Sequence, residues 1–128
     1  MTGSKCLLDT SVIIHIFKSN PDIIAQLRTF SEIFLPSIAA GELYYGAYCF
    51  ANIKKHLDQS NQFLKNYTIL SPDVITADFY GRIKKSLKDK GKPIPENDIW
   101  IAAIAIQFNL PLFATDKHFR EINNITLI

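Results

Sequence analysis

The sequence predicts one α/β domain with a mainly parallel central sheet flanked by helices on both faces. Short apolar segments alternate with longer segments of helical spacing along the whole chain, an order typical of parallel strands joined by crossover helices. The apolar segments lack the polar alternation of a half-exposed strand, which indicates that helices cover both sides of the sheet. The length of 128 residues and the hydrophobic content of 48% suit a single compact domain over 1–128.

The amino-terminal half begins with a predicted strand over 5–9, a short apolar run that ends in an acid. A helix over 10–18 follows at once, and a helix over 20–30 opens with Asn-Pro, the order favoured at a helix start. A second apolar strand is predicted over 32–37. The segment 38–50 is predicted to be helical despite its two glycines, which can mark close packing.

In the carboxyl-terminal half, helical spacing of apolar residues predicts a helix over 51–67, and a short strand follows over 67–70. The helix over 72–91 has signals at both ends, because it begins with proline and ends in glycine. The helix over 97–109 is apolar nearly all round and is therefore predicted to be buried. The last strands are predicted over 111–115 and 125–128.

The composition excludes several classes of protein. The net charge of +2 is too small for a protein that binds nucleic acid over its whole surface, so such binding would need a local patch. No apolar run approaches the ~18 residues of a membrane span, and the first residues lack the apolar core of a signal peptide. We therefore expect a cytoplasmic protein in which Cys6 and Cys49 are reduced and buried.

Four acids lie at the starts or ends of predicted core elements: Asp9, Glu42, Asp98 and Asp116. Asp9 and Asp116 each end a strand, so in a parallel sheet they share the carboxyl edge, where α/β proteins bind ligands. Glu42 lies in the first turns of the helix after the second strand, near the same edge. Asp98 opens the helix before a later strand. We expect such a helix to begin at the opposite edge unless its loop carries it over, so the position of Asp98 stays open.

Each acid also has a purely structural explanation. Asp98 can stabilise the positive end of its helix, and Glu42 can be an ordinary surface residue. Asp9 and Asp116 can cap the elements that follow them. The four acids as a group are harder to explain in this way. Buried carboxylates without cations become protonated, paired or metal-bound, and the sequence has no Lys or Arg between Asp98 and Asp116. Oxygen ligands without a Cys or His cluster favour Mg²⁺ or Mn²⁺ over Zn²⁺.

Three segments carry a resemblance to a known family: LLDTSVIIHIF near the start, AAGELYYGA before the middle and PIPENDIWIAAIAIQFNLPLFATDKHF near the end. In their order and spacing they resemble PIN-domain proteins of the VapC toxin type, over essentially the whole chain. The resemblance implies a ribonuclease that cleaves RNA phosphodiester bonds with Mg²⁺ or Mn²⁺. It also implies a homodimer held inactive by a cognate antitoxin protein, and one metal-binding cluster formed by the four acids.

On this hypothesis Asp9, Asp98 and Asp116 are metal ligands, and Glu42 binds metal or orients the attacking water. A bound ion lowers the pKa of water and so supplies hydroxide near neutral pH. One ion or two are both compatible with this set of acids. His118 follows Asp116 by two residues and is expected to be a packing or surface residue, with a small chance of touching substrate.

Supporting residues surround the acids. Many members of the family carry Thr-Asn before the last acid where this chain has Ala-Thr, but the hydroxyl of Thr115 can still orient a ligand or water. Thr10 and Ser11 match hydroxyl positions of the family and can equally cap the first helix. Phosphate contacts are expected from three basic residues: Arg82, Lys117 and Arg120.

Two alternative functions remain open. A receiver-like regulatory domain also binds Mg²⁺ with acids at strand ends, but it requires an acid pair after the first strand. Here that strand yields only Asp9, and Asp73 after a central strand lies already at a helix start. The other alternative is a non-catalytic protein that keeps the fold and only binds a partner.

Overall fold

The computed structural model describes residues 4–128, so the first three residues of the predicted domain lie outside the described residues. One sheet has the strand order β3-β2-β1-β4, and all neighbouring strands in it are parallel. Its strands are β1 (Lys5–Leu8), β2 (Glu32–Pro36), β3 (Thr68–Leu70) and β4 (Leu112–Phe113). The predicted fold class is confirmed.

Helices fill the connections between these strands, as the alternating pattern predicts. They are α1 (Thr10–Phe17), α2 (Pro21–Leu27), α3 (Ser37–Tyr48), α4 (Ile53–Leu64), α5 (Val74–Lys90) and α6 (Glu96–Gln107). A short 3₁₀ helix, Lys117–Glu121, follows β4.

The helix signals in the sequence act through specific hydrogen bonds. The Asn20 side chain caps α2, whose first residue is proline. At α5, the Asp73 carboxylate accepts the backbone N–H of Thr76, and the Thr76 hydroxyl accepts the N–H of Asp73, which together form a capping box. The same helix ends at Gly91, whose φ of 66° is a left-handed conformation that glycine adopts without strain.

β1 is buried on both faces from Cys6 to Leu8, which explains why these three residues are apolar. Leu7 packs in one cluster with residues of α5 and α6. Its neighbours Cys6 and Leu8 point the other way and pack in a second cluster with α1 and α3. Burial raises the pKa of the Cys6 thiol to about 12, so this cysteine stays protonated.

α6 is the most buried helix of the described chain, as its apolar sequence predicts. The consecutive residues from Ile101 to Ala105 are at most 1% exposed, and the helix packs most extensively against α5. A helix enclosed in this way has little freedom to shift, so the acid in its first turn is held rigidly at the sheet edge.

Two sequence expectations are wrong. The strand predicted over 125–128 is reduced to a single parallel bridge between Leu127 and Leu112, because β4 has only two residues and presents too short a ladder to extend. Cys49 is exposed rather than buried, since it ends α3 on the surface. Within residues 4–128, no helix is both long and apolar enough to cross a membrane.

Candidate metal centre

Asp9 directly follows β1 and is almost completely buried, with 3% of its surface exposed. Its Oδ2 accepts the backbone N–H of Ser11 at 3.2 Å and the Ser11 hydroxyl at 2.6 Å. Asp9 therefore caps α1 itself, and the predicted cap at Thr10 or Ser11 is wrong, because the extended backbone of a cap residue occurs at Asp9. Burial raises the pKa of Asp9, although the bonds from Ser11 oppose this shift.

Glu42 reaches the same edge from α3, which begins directly after β2. Its carboxylate is half-buried, and its Oε1 accepts a 2.8 Å hydrogen bond from the Thr10 hydroxyl. The first residue of α1 therefore holds the acid of α3 in place. This contact does not fit the alternative of a free surface residue.

Asp98 lies in the first turn of α6 and is 9% exposed. Asp98 lines the same cavity as Glu42 and Asp116, so the first turn of α6 lies at the carboxyl edge of the sheet. The expectation that such a helix begins at the opposite edge is wrong, because crossover helices run back along the strands that they connect. Asp98 therefore joins the other acids.

The segment after β4 contributes Asp116 and also His118, which the sequence analysis did not include among the site residues. Asp116 precedes the 3₁₀ helix, but its side chain makes no capping hydrogen bond to it. The Nε2 atom of His118 lies 2.5 Å from Oδ2 of Asp98 and 3.3 Å from Oδ2 of Asp116. His118 packs edge-on against Phe119, as expected of a packing residue, but it also contacts the acids, and its short distance from Asp116 in sequence is the one signal that pointed to this contact.

A cavity of about 410 Å³ opens the cluster to solvent. It is lined by Glu42, Pro95, Glu96, Asn97, Asp98, Asp116 and His118. Asp9 is buried next to this lining, and its charge acts on Asp98. The fold thus brings together all four of the predicted acids.

The four acids repel one another electrostatically. Burial, and then the negative charges of Asp9, Asp116 and Glu42, raise the pKa of Asp98 to about 6, while His118 acts in the opposite direction. Among residues 4–128, none of the four forms an ion pair with a lysine or arginine. A divalent cation fits this donor set, since one ligand atom each of Asp98, Asp116 and His118 lie within 4.8 Å of one another.

The other predicted site residues fall into two groups. Ser11 and Thr115 lie at the site, where the Thr115 backbone N–H donates to the Ser11 hydroxyl at 3.1 Å. Lys117 and Arg120 are exposed on the 3₁₀ helix that follows Asp116. These positions leave both basic side chains free to meet a ligand from solvent.

Arg82 lies elsewhere. Its guanidinium forms an exposed ion pair with Asp78 one turn earlier in α5, at 2.8 Å. It also lines a separate cavity of about 180 Å³ together with residues such as Ile106 and Asn123, and it is absent from the lining of the acidic cavity. The expected phosphate contact from Arg82 therefore has no support in this geometry.

The fold and the site together define a class of protein: parallel α/β domains with a carboxylate cluster, suited to a divalent cation, at the carboxyl edge of the sheet. The model of the PIN domain family matches residues 6–125. The chain belongs to the PIN domain family.

Similar proteins agree with this assignment. "Ribonuclease VapC2" of Haemophilus influenzae is 36% identical over 123 residues, which cover 94% of this chain and 92% of the relative. "Ribonuclease VapC1" of the same species is 31% identical, over 93% of this chain and 92% of the relative. A crystal structure of VapBC2 from Rickettsia felis, bound to a promoter DNA fragment, superposes with a TM-score of 0.91 at 26% identity and covers 97% of both chains.

Proposed function

We propose that this protein is a metal-dependent endoribonuclease and the toxin of a toxin–antitoxin pair. The observation that carries the proposal is the acidic cluster at the cavity, where carboxylates from the end of β1, from α3, from α6 and from the segment after β4 converge, and none of them pairs with a lysine or arginine among residues 4–128. The relatives named ribonuclease VapC support RNA as the substrate. The proposed location is the cytoplasm, where such a substrate is found.

In this proposal Asp9, Asp98 and Asp116 hold Mg²⁺ or Mn²⁺. A divalent ion bound there would lower the pKa of a water molecule and stabilise negative charge on the phosphodiester. Glu42, whose carboxylate is held by the Thr10 hydroxyl, orients the attacking water and accepts its proton. This division of roles agrees with burial, because Asp9 is deeply enclosed whereas Glu42 lines the cavity.

A basic groove beside the acidic cavity provides a path for the RNA strand. The groove has a volume of about 590 Å³, an apolar floor that includes Leu87 and Ile99, and a rim that carries Lys84, Lys85 and Lys88. Glu96 belongs to both the groove and the acidic cavity, so the two are adjacent. Lysines along such a groove suit phosphates of a single strand and carry no sequence preference. Lys117 and Arg120, exposed on the 3₁₀ helix after Asp116, are available for further phosphate contacts.

A second groove has the position and the apolar lining that binding of an antitoxin protein would need. It has a volume of about 690 Å³, is mainly apolar, and lies between α1, α3 and α4. Thr10 and Glu42 belong to its lining, so a chain seated there would cover the active site. The crystal structure of VapBC-1 from Haemophilus influenzae superposes with a TM-score of 0.89 at 28% identity. We propose that the antitoxin occupies this groove and blocks access of RNA to the acids.

The proposal includes a homodimer. Three aromatic side chains near the end of α3 are largely exposed: Tyr45 by 74%, Tyr48 by 61% and Phe50 by 53%. Aromatic residues are enriched at protein interfaces because they bury a large area with few rotatable bonds. Sedimentation of the purified protein gives its mass in solution and so tests whether it is a dimer.

The activity is tested with a fluorescent single-stranded RNA and purified protein in Mg²⁺, in Mn²⁺ and in EDTA. We expect cleavage only with a metal, and loss of cleavage in the Asp9→Asn and Asp98→Asn variants. Asp58→Asn is the matched control, because it removes an exposed acid of α4 that pairs with Lys54. Undiminished cleavage by both cluster variants, or full activity in EDTA, would show that the proposal is wrong.

The alternatives lack comparable support. In a receiver-like domain an aspartate after a central strand must be free to accept a phosphoryl group. Asp73, which follows β3, instead caps α5 and accepts the backbone N–H groups of Ile75 and Thr76. These bonds, first that from Thr76, hold the pKa of Asp73 below its usual value. A non-catalytic binding protein would have no need of a cluster of acids that destabilise one another.

A further inference from the structure

His118 contacts the acidic cluster through one ring nitrogen. Its Nε2 lies 2.5 Å from Oδ2 of Asp98 and 3.3 Å from Oδ2 of Asp116. The ligand atoms of these three residues all lie within 4.8 Å of one another, a span over which one ion can touch all three. The imidazole thus occupies the place of a further ligand, not that of a remote neighbour.

The position of His118 follows from the packing of the residue beside it. Phe119 is completely buried and anchors the 3₁₀ helix in the core. The His118 ring lies edge-on to the Phe119 ring, with centroids 5.5 Å apart. This anchor holds the imidazole against the acids, while Arg120 on the other side of Phe119 points to solvent.

The Nε2 atom of His118 has no hydrogen-bond partner in the described structure, although it is buried. Its approach to Asp98 is close, but the geometry is not that of a hydrogen bond. A buried polar atom that makes no hydrogen bond is unfavourable, and such atoms are usually satisfied by a partner of another kind. A cation that also binds Asp98 and Asp116 would satisfy all three ligand atoms at once.

We infer that His118 is a metal ligand through Nε2, and that it makes the site prefer Mn²⁺ over Mg²⁺. The inference rests on the proposed function, because it assumes that the cluster binds a divalent cation. Mg²⁺ prefers oxygen ligands and gives up its waters reluctantly, whereas imidazole suits transition metals better. A ligand set in which one imidazole joins the carboxylates therefore discriminates against Mg²⁺ in a way that a set of carboxylates alone does not.

Pulsed electron paramagnetic resonance on Mn²⁺ bound to the full chain tests the inference directly. We expect modulation from a ¹⁴N nucleus in the unmodified protein and its loss in His118→Gln. Calorimetric titration of the same proteins should show that His118→Gln weakens Mn²⁺ binding by on the order of tenfold and changes Mg²⁺ binding less. His15→Gln is the matched control, because His15 contacts Asn20 and not the acids.

The outcomes separate this inference from the proposed function. Mn²⁺ binding without a nitrogen signal in the unmodified protein would overturn the role of His118 and leave the nuclease proposal intact. The same conclusion would follow if folded His118→Gln, checked by its thermal unfolding, bound Mn²⁺ as tightly as His15→Gln. If the unmodified protein bound neither ion, the metal-dependent function would fail and this inference with it.

Discussion

Replacing Asp98 by asparagine should stabilise the metal-free protein at neutral pH. Burial and the neighbouring acids raise the pKa of Asp98 from 3.8 to about 6. A shift of this size means that the ionised carboxylate destabilises the folded state by about 3 kcal/mol, since each pKa unit corresponds to about 1.4 kcal/mol. Asparagine has nearly the same shape and carries no charge, so it removes that cost.

The direction of the pKa shift of Asp98 determines how the stability of the protein depends on pH. A folded-state pKa above the unfolded value means that the folded protein binds the proton more tightly, so stability falls as pH rises between the two values. Ionisation of Asp98 lowers the free energy of unfolding by about 1 kcal/mol at pH 4.5 and by about 3 kcal/mol above pH 7. The advantage of Asp98→Asn should therefore grow with pH over this window. The attraction of His118 is already included in this net shift of the pKa.

Urea unfolding in EDTA at pH 4.5 and pH 7.5 measures the free energy of unfolding of both proteins. Mn²⁺ at about 1,000 times its Kd should reverse the order at pH 7.5, because an ion that binds only the folded state then adds about 4.1 kcal/mol to the unmodified protein, more than the cost of the ionised Asp98. Glu96→Gln is the control for charge in the same helix turn, and it should not stabilise, since Glu96 pairs with Lys84. If Asp98→Asn were less stable than the unmodified protein in EDTA at pH 7.5, the acids would not destabilise one another as argued.

Three further predictions concern other parts of the molecule. Gly81→Ala should stabilise α5 by up to about 1 kcal/mol, measured as a higher Tm, because an added Cβ meets nothing within 4 Å; a lower Tm would contradict this. Asp73→Ala should lower the midpoint of urea unfolding, because it removes the capping box at the start of α5, and an unchanged midpoint would count against that role. In the Asp98→Asn background, Lys85→Gln/Lys88→Gln should reduce the slope of log affinity for single-stranded RNA against log salt by about 1.4. An unchanged slope would exclude the basic groove as the RNA path.

The matched control for the last experiment removes two lysines elsewhere. Lys5→Gln/Lys54→Gln takes away exposed charges at the start of β1 and on α4, each paired with an acid. The net charge then changes equally in both double variants, so only a local contact with RNA can distinguish them. Thermal unfolding of both proteins checks that each is folded before binding is compared.

The four acids lie at the ends of elements that the sequence predicts, because burial and the alternation of strands and helices are visible in the apolar pattern. Short apolar runs separated by helical spacing require a parallel sheet covered on both faces, and that sheet has one carboxyl edge. Asp9 and Asp116 follow from this rule alone. The rule was applied wrongly to Asp98, although the direction of a crossover helix places its first turn at the same edge.

The sequence by itself determined the fold class and the excess of negative charge at one edge of the sheet, since both depend on the order of apolar and acidic residues along the chain. Only the tertiary structure decided which other side chains meet that charge. His118 reaches Asp98 because Phe119 is anchored in the core, whereas Arg82 pairs with Asp78 and faces another cavity. The direction of a side chain depends on how distant segments pack around it, and no local pattern in the chain encodes that packing.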